Sequence, residues 1–264
     1  MLRDLHRRDV GERPPLSEDA AFEAWRDRRR SGDESATLLN LYELIARPRG
    51  LEPHELPLDE RVRLSTRALY EMTPGFEIIP GSDRGIEPIE LVPYDQGWPA
   101  QFDTWKARLL GALSPAPRRI DHVGSTAVPG LPAKPVIDIQ VSVDDLLDEA
   151  AYVPAIESLG IQLRSRDDEN RFFRPFEDRP RDVHIHVCGA GSRWERRHLL
   201  FVAYLRADAA ARDAYLQAKL AAAARWSDDR IAYTEAKDEI IREITARAEL
   251  WEAHAGHHDL RPEA

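Results

Sequence analysis

The run PVIDIQVSV at residues 135–143 constrains the fold of this chain most, because nearly every position carries a β-forming residue. Asp138 and Gln140 interrupt the run two positions apart, so both side chains leave the predicted strand on the same side. Five other segments show strand-like patterns: 89–95, 119–124, 161–167, 171–176 and 182–188. Helices are predicted at 99–113 and 144–159. The middle of the chain is therefore predicted to be a mixed α/β region.

Helical patterns flank this region on both sides in the sequence. Three helices are predicted before it, starting near Ser17, Ser35 and Leu58, and the turn-rich segment PGSDRGIEP is typical of a linker. After it, residues 193–254 are predicted to be helical in three pieces, with breaks near Asp208 and Ser227. We therefore divide the chain into three parts: a helical N-terminal extension with a mobile arm at 1–86, an α/β domain at 87–256, and a polar tail at 257–264.

The charge balance limits the classes of partner. With 47 acidic and 37 basic residues among 264, the net charge is −10, which argues against a protein that coats nucleic acid. Only four basic residues are lysines, and the remaining arginines reflect a compositional bias more than a function. Cys188 is the single cysteine, so an intramolecular disulfide and a thiolate zinc cluster are both excluded. No signal-peptide core and no run of about 18 apolar residues occurs, so we expect a cytoplasmic protein without membrane contact.

A candidate phosphate site lies where two predicted strands approach each other. Gly124 and Ser125 follow the strand at 119–124, and such a turn lets backbone N–H groups approach a phosphate. Asp138 on the next strand is a candidate ligand for Mg²⁺ or Mn²⁺ against the bound phosphates. His122, just before the turn, is a candidate phosphate or metal contact. On spacing alone, an ordinary loop and a solvated acid explain the pattern as well.

Longer motifs resemble one known family. VPYDQGWPAQF, IDHVGSTAVPGLPAKPVIDIQVSV, HIHV and FVAYLR, with the pairs Tyr215…Lys219 and Tyr233…Lys237, closely resemble the GrpB (UPF0157) family over about residues 88–250. The resemblance implies an α+β, nucleotidyltransferase-like mixed sheet with flanking helices and a helical C-terminal part. The same domain is similar to one that is fused to dephospho-CoA kinase in some bacteria.

The chain departs from the general nucleotidyltransferase pattern at two places. That pattern has a second acid where Gln140 stands, and a neutral amide offers a metal only a carbonyl oxygen. A later strand carries His184 and His186 on one face in place of a third acid. Asp138, Gln140 and these two histidines are the candidates for catalysis, with His184 joining Asp138 as a metal ligand. Structural hydrogen bonding is the alternative for at least one of the histidines.

Four cationic side chains complete the candidate site. Lys134 closes the loop that Gly124 opens, and Lys219 and Lys237 each lie four residues after a tyrosine, on the same helix face. Arg206 is included only because the family resemblance raises it above the many other arginines. The alternative for Lys134 is simple solvent exposure, and for the two helical lysines it is an aliphatic stem that packs on the core and leaves its ammonium group in water.

The sequence favours an enzyme that transfers a nucleotidyl or phosphoryl group from ATP or another nucleoside triphosphate to a small acceptor, with Mg²⁺ or Mn²⁺. Adenylate activation for ligation is one form of this reaction. The alternatives are a non-catalytic module that binds a nucleotide or a CoA-like ligand, and a protein-interaction role of the helical extension.

Overall fold

The computed structural model describes residues 17–80 and 88–255, which divide into two compact units, one ending at Leu64 and the other starting at Ser65. The predicted mobile arm, the polar tail and most of the linker lie outside the described residues. The sequence-based boundary near residue 86 also lies there. Each unit is described by itself.

The first unit is helical. It contains α1 (Glu18–Arg30), α2 (Leu38–Ala46) and the first half of α3 (Leu58–Met72). Ser17 caps α1 by accepting a hydrogen bond from the Ala20 N–H, as its position before two acids predicts. Trp25 is fully buried and donates from its indole N–H to the carbonyl oxygen of Thr37, which fixes α1 against the start of α2.

The second unit is built on one mixed sheet of six strands. The strands are β1 (Glu77–Ile78), β2 (Arg119–Val123), β3 (Ile137–Val143), β4 (Ile161–Arg166), β5 (Asn170–Pro175) and β6 (Val183–Gly189). Their order is β1-β4-β5-β6-β3-β2, and the β3–β6 pair is parallel while the other pairs are antiparallel. The predicted α+β class with a mixed sheet is confirmed.

Helices cover both faces of the sheet. Besides the second half of α3, the helices of this unit are α4 (Trp98–Ala112), α5 (Val153–Glu157), α6 (Arg193–Ala207), α7 (Ala209–Arg225), α8 (Arg230–Glu235) and α9 (Asp238–Ala255). Leu109 of α4 and Ile156 of α5 share one apolar cluster with Ile139 of β3. Val123 of β2 belongs to a second cluster with α6, α7 and α9. Because Val123 is paired with Asp138, the polar residues of β3 lie on the face that α6, α7 and α9 cover.

Four element predictions need correction. Residues 89–95 form only an isolated bridge between Val92 and Ala133, because Pro93 has no N–H with which to continue a ladder. The predicted helix at 144–159 shrinks to a 3₁₀ turn and α5, whose first turn contains Pro154. Strand β1 is absent from the sequence prediction, although two residues of the supposed extension pair with β4. The C-terminal helices break once more than predicted, between α8 and α9, and this break places Lys237 at a helix junction.

Candidate anion-binding site

An open cavity lies where the end of β2, the start of β3 and the C-terminal helices meet. We call it the lysine cavity. Its lining contains seven of the residues that the sequence predicts for the site: Gly124, Ser125, Lys134, Asp138, His184, Lys219 and Lys237. Thr126, Val136, Tyr215 and Tyr233 complete it. The predicted glycine turn, the acid and three of the chain's four lysines are thus brought together.

Parallel pairing of β3 with β6 sets Asp138 directly beside His184. His184 Nδ1 lies 3.1 Å from Oδ1 of Asp138, and Arg181 donates from Nε to His184 Nε2 over 3.4 Å. Since Nε2 accepts a hydrogen bond, the imidazole carries its proton on Nδ1 and donates it to the carboxylate. Both ring nitrogens of His184 are therefore engaged.

This pair is a neutral imidazole beside an ionised carboxylate at pH 7. Burial lowers the pKa of His184 below its ordinary value. Burial by itself would raise the pKa of Asp138, but the hydrogen bond from His184 and the neighbouring cations outweigh it and hold this pKa at about 2. The Asp138 side chain keeps 31% of its surface exposed, so its charge faces the cavity.

The turn after β2 lies against Asp138 because Val123 is paired with that residue. Gly124 has φ +69°, and a Cβ on it would lie 2.4 Å from Oδ2 of Asp138. Backbone conformation and space therefore both require glycine here. Ser125, the next residue, shares a hydrogen bond with the Tyr215 hydroxyl. The structure therefore places the Gly124 backbone directly against the Asp138 carboxylate.

The lysines hold their ammonium groups in unusual surroundings. Lys219 is 2% exposed and donates to the Pro132 carbonyl oxygen over 2.6 Å. Lys237, 9% exposed, and Lys134, partly buried, lie 4.1 and 5.2 Å from the ring centroid of Tyr233. Within residues 17–80 and 88–255, neither of these two ammonium groups donates a hydrogen bond or has a carboxylate oxygen within 4.0 Å. Two cations of the cavity therefore lack a counter-charge in direct contact.

Burial also weakens the basicity of these lysines. It lowers the pKa of Lys219 to about 7, with further repulsion from Lys237 and Lys134. It lowers the pKa of Lys134 and that of Lys237 to about 8 each. A negatively charged ligand would reverse these shifts, because it favours the protonated amines.

Two predicted residues support the turn from outside the cavity. His122 stacks on Phe102 with 4.9 Å between ring centroids, and its Nε2 lies 3.0 Å from Oγ1 of Thr126. Burial lowers its pKa to about 4, so it is neutral. Arg206 donates from Nε to the Ala127 carbonyl oxygen over 2.9 Å. Both residues lie outside the cavity lining and these contacts hold the loop after Gly124, so contact of His122 and Arg206 with a ligand stays a prediction.

Gln140 on β3 and His186 on β6 each lie two residues beyond Asp138 and His184, and the cavity lining does not include them. Gln140 is fully buried. Neither its amide atoms nor Nδ1 of His186 has a hydrogen-bond partner in the part of the chain that the structure describes. The His186 ring packs between Phe172 and Trp194, and burial lowers its pKa to about 3. Gln140 lies too deep to reach a ligand in the cavity, whereas His186 is only partly buried and lies outside the lining; a catalytic role of either residue stays a prediction.

The donor set of the cavity does not fit a divalent cation held by the protein. Asp138 is the only carboxylate in the lining, and the nitrogens of His184 bind Asp138 and Arg181. Among the described residues, no group of three or more His, Cys, Asp or Glu side chains is arranged around a common point for a metal. Magnesium needs several oxygen ligands and softer ions need free imidazole or thiolate groups. Mg²⁺ or Mn²⁺ therefore stays a prediction from the sequence.

Three residues of the site are absent from the sequence prediction: Arg181, Thr126 and Val136. Arg181 is one of 33 arginines, so its residue type carries no signal, although it lies only three residues before His184, to which it donates. The tyrosine spacing does point to Tyr215 and Tyr233, although it does not reveal their role in holding lysines.

The sheet, its two helical layers and the turn-and-acid arrangement define an α+β protein of a nucleotidyltransferase-like kind in coarse outline. The chain belongs to the GrpB protein family, whose family model matches residues 88–247. It is similar to the crystal structure of the conserved protein GrpB from Enterococcus faecalis, with a TM-score of 0.55, 28% identity, and coverage of 62% of this chain and 100% of that one.

Relatives carry two kinds of name. A UPF0157 protein of Halalkalibacterium halodurans is 39% identical over 160 residues, which is 61% of this chain and 82% of that protein. A UPF0157 protein of Streptomyces coelicolor is 39% identical over 172 residues, which is 65% of this chain and 89% of that protein. A dephospho-CoA kinase of Mycolicibacterium paratuberculosis is 36% identical over 199 residues, which is 64% of this chain and 48% of that protein.

Among the described residues, no helix is long and apolar enough to cross a membrane.

Proposed function

We propose that the chain binds the phosphate groups of a nucleotide or a CoA-like nucleotide derivative in the lysine cavity. One observation carries this proposal: the ammonium groups of Lys134 and Lys237 face one cavity with no acceptor or carboxylate in contact, among the residues described.

The cost of this arrangement argues for an anionic ligand. A buried ammonium group without a partner is unfavourable by several kcal/mol, and neighbouring like charges add to that penalty. Three lysines face a single carboxylate in the cavity lining, so the local charge is positive in a chain whose net charge is −10. Phosphate oxygens supply the acceptors that lysine ammonium groups lack here.

Two features favour a nucleotide over a bare phosphate ion. The cavity is open to solvent, and its lining includes two tyrosine rings beside the cations, which offer an apolar surface to a base or sugar. Similar proteins named dephospho-CoA kinase act, by that name, on a nucleotide derivative, although the matched region is less than half of their length.

Transfer of a nucleotidyl or phosphoryl group to a small acceptor is the second candidate. Asp138 favours it, because an ionised carboxylate in the same cavity as the lysines is able to hold an acceptor's hydroxyl or amine proton. The lysines would then stabilise the charge that develops on the phosphates. Adenylate activation for ligation would use the same first step.

The binding proposal is tested with a ligand series. Calorimetric titration of the full chain with ATP, ADP, CoA and pyrophosphate should give measurable affinities, while adenosine and pantetheine, which lack phosphate, should not bind. Equal binding of adenosine and ATP would contradict the proposal, as would the absence of binding by every phosphorylated compound.

The transfer candidate has its own assay. Radiolabelled ATP is incubated with the chain, with water and small alcohols and amines as acceptors, and ADP and AMP are quantified. Transfer is supported if the unaltered chain turns over ATP and Asp138→Asn abolishes this turnover while it still binds ATP. ATP binding without either product rejects it.

A further inference from the structure

We infer that the lysine cavity takes its phosphorylated ligand as the free polyanion, with the three lysines in the place of a divalent cation. This inference rests on the proposed function and narrows it to metal-free di- or triphosphates of the nucleotide class.

The first support is the state of the acid. Oδ1 of Asp138 accepts the hydrogen bond from His184, and Oδ2 lies against the backbone of Gly124 so closely that no Cβ fits there. A magnesium ion on this carboxylate would need several further oxygen ligands. The lining contains no second carboxylate to provide one.

The second support is where the other candidate ligands lie. Gln140 stands where the general pattern has its second acid, and it is fully buried and outside the cavity lining. His186, one step beyond His184 on β6, packs among aromatic rings instead of facing the cavity. The positions that supply metal ligands in the general pattern therefore do not reach an ion at Asp138.

The third support is the sign of the local charge. A divalent cation beside Asp138 would share the cavity with the ammonium groups of Lys134, Lys219 and Lys237, which repel it. The same groups attract a free phosphate, and two of them have no other anion in contact within the described residues. A magnesium complex of a nucleotide carries less negative charge than the free nucleotide and gains less from them.

The decisive experiment varies the metal and the acid together. ATP and pyrophosphate are titrated into the full chain by calorimetry, once in EDTA and once in excess MgCl₂. The unaltered chain should bind both at least as tightly in EDTA as in magnesium. Asp138→Asn, which has nearly the same shape, should bind about threefold more tightly or better in EDTA because one repelling charge is gone.

The outcomes separate the two claims. Binding that requires Mg²⁺ or Mn²⁺, or that Asp138→Asn weakens in EDTA, overturns metal-free recognition and leaves the proposed function standing. Absence of binding in both buffers, extended to ADP and CoA, overturns the proposed function itself. A thermal melt of Asp138→Asn checks that the variant is folded, and titration with MnCl₂ alone should show no site in either protein.

Discussion

The Lys237 ammonium nitrogen lies 4.1 Å from the centroid of the Tyr233 ring, and Lys134 approaches the same ring at 5.2 Å. One aromatic ring from α8 therefore positions two cations that come from different parts of the chain. A cation near an aromatic ring gains about 0.5–2 kcal/mol, more when both are desolvated.

This relationship predicts that two substitutions of Tyr233 differ in their effect on ATP affinity. Tyr233→Phe keeps the ring and should leave ATP affinity within about twofold, while Tyr233→Leu should weaken it about fivefold or more. Affinity is measured by calorimetry on protein whose folded state is checked by thermal melting. A large loss in the Phe variant would instead assign the role to the hydroxyl, and unchanged affinity in the Leu variant would show that the ring does not position the lysines.

Gly124 should tolerate no side chain. Gly124→Ala would place a Cβ 2.4 Å from Oδ2 of Asp138 at φ +69°, and we expect a stability loss of about 2–4 kcal/mol together with lost ATP binding. Gly130 is the matched control, because its φ is +78° but a Cβ added there would meet nothing within 4 Å beyond its chain neighbours. Gly130→Ala should cost only about 1 kcal/mol and keep binding. If urea unfolding showed that both substitutions lower the free energy of unfolding equally, the contact with Asp138 would not be the cause of the loss.

The strand pattern predicts the face of each polar residue correctly but not its depth. Alternation predicts that Asp138 and Gln140 share one side of β3 and that His184 and His186 share one side of β6, and only the pairing shows that the two sides are the same. Whether such a residue reaches a cavity depends on where the covering helix lies. Here α6, which carries Trp194, covers His186, while His184 stays beside the open end. No local pattern encodes that difference.

The remaining omissions have separate causes. Arg181 lies only three residues before His184, but as one of 33 arginines its residue type marks nothing, and Lys237 acquires its position from a helix break that neither glycine nor proline marks. The Gly124–Asp138 approach is predictable because both residues belong to one specific motif. The helix expected at 144–159 fails for a local reason, since Pro154 restricts where a helix can start.

The two histidines of β6 should behave differently. His184→Gln removes the imidazole that donates to Asp138, so we expect a higher pKa of Asp138 and an ATP affinity that changes by more than twofold, because the carboxylate beside the phosphates is no longer held in place. His186→Gln, two residues away and outside the cavity lining, should change stability but leave affinity within about twofold. Calorimetry and carboxyl-carbon NMR titration measure these effects. Loss of affinity in His186→Gln alone would place the site elsewhere on the strand.

Stability and binding should depend on pH in opposite directions. Burial lowers the pKa of Lys219 to about 7 and those of Lys134 and Lys237 to about 8, so between pH 7 and 9 the unfolded chain holds more protons at these residues. The contribution of these lysines to the free energy of unfolding of the ligand-free chain should therefore rise with pH over this range.

ATP affinity should fall over the same range, because the phosphates favour the protonated amines, and binding at pH 8 should take up protons. Calorimetry in buffers with different ionisation enthalpies measures this uptake. Proton release on binding at pH 8 would contradict the assignment of the lysines to the phosphates.

Whether the lysines bind the phosphates is decided by titrating ATP into Lys134→Gln/Lys237→Gln and into Lys106→Gln. Lys106 is the chain's remaining lysine and lies on α4, outside the cavity lining, so it matches the chemical change without touching the site. We expect a loss of about 30-fold or more for the double variant, and affinity within about twofold of the unaltered chain for the control. Equal affinity of the unaltered chain and the double variant, both folded, would show that these lysines do not hold the ligand.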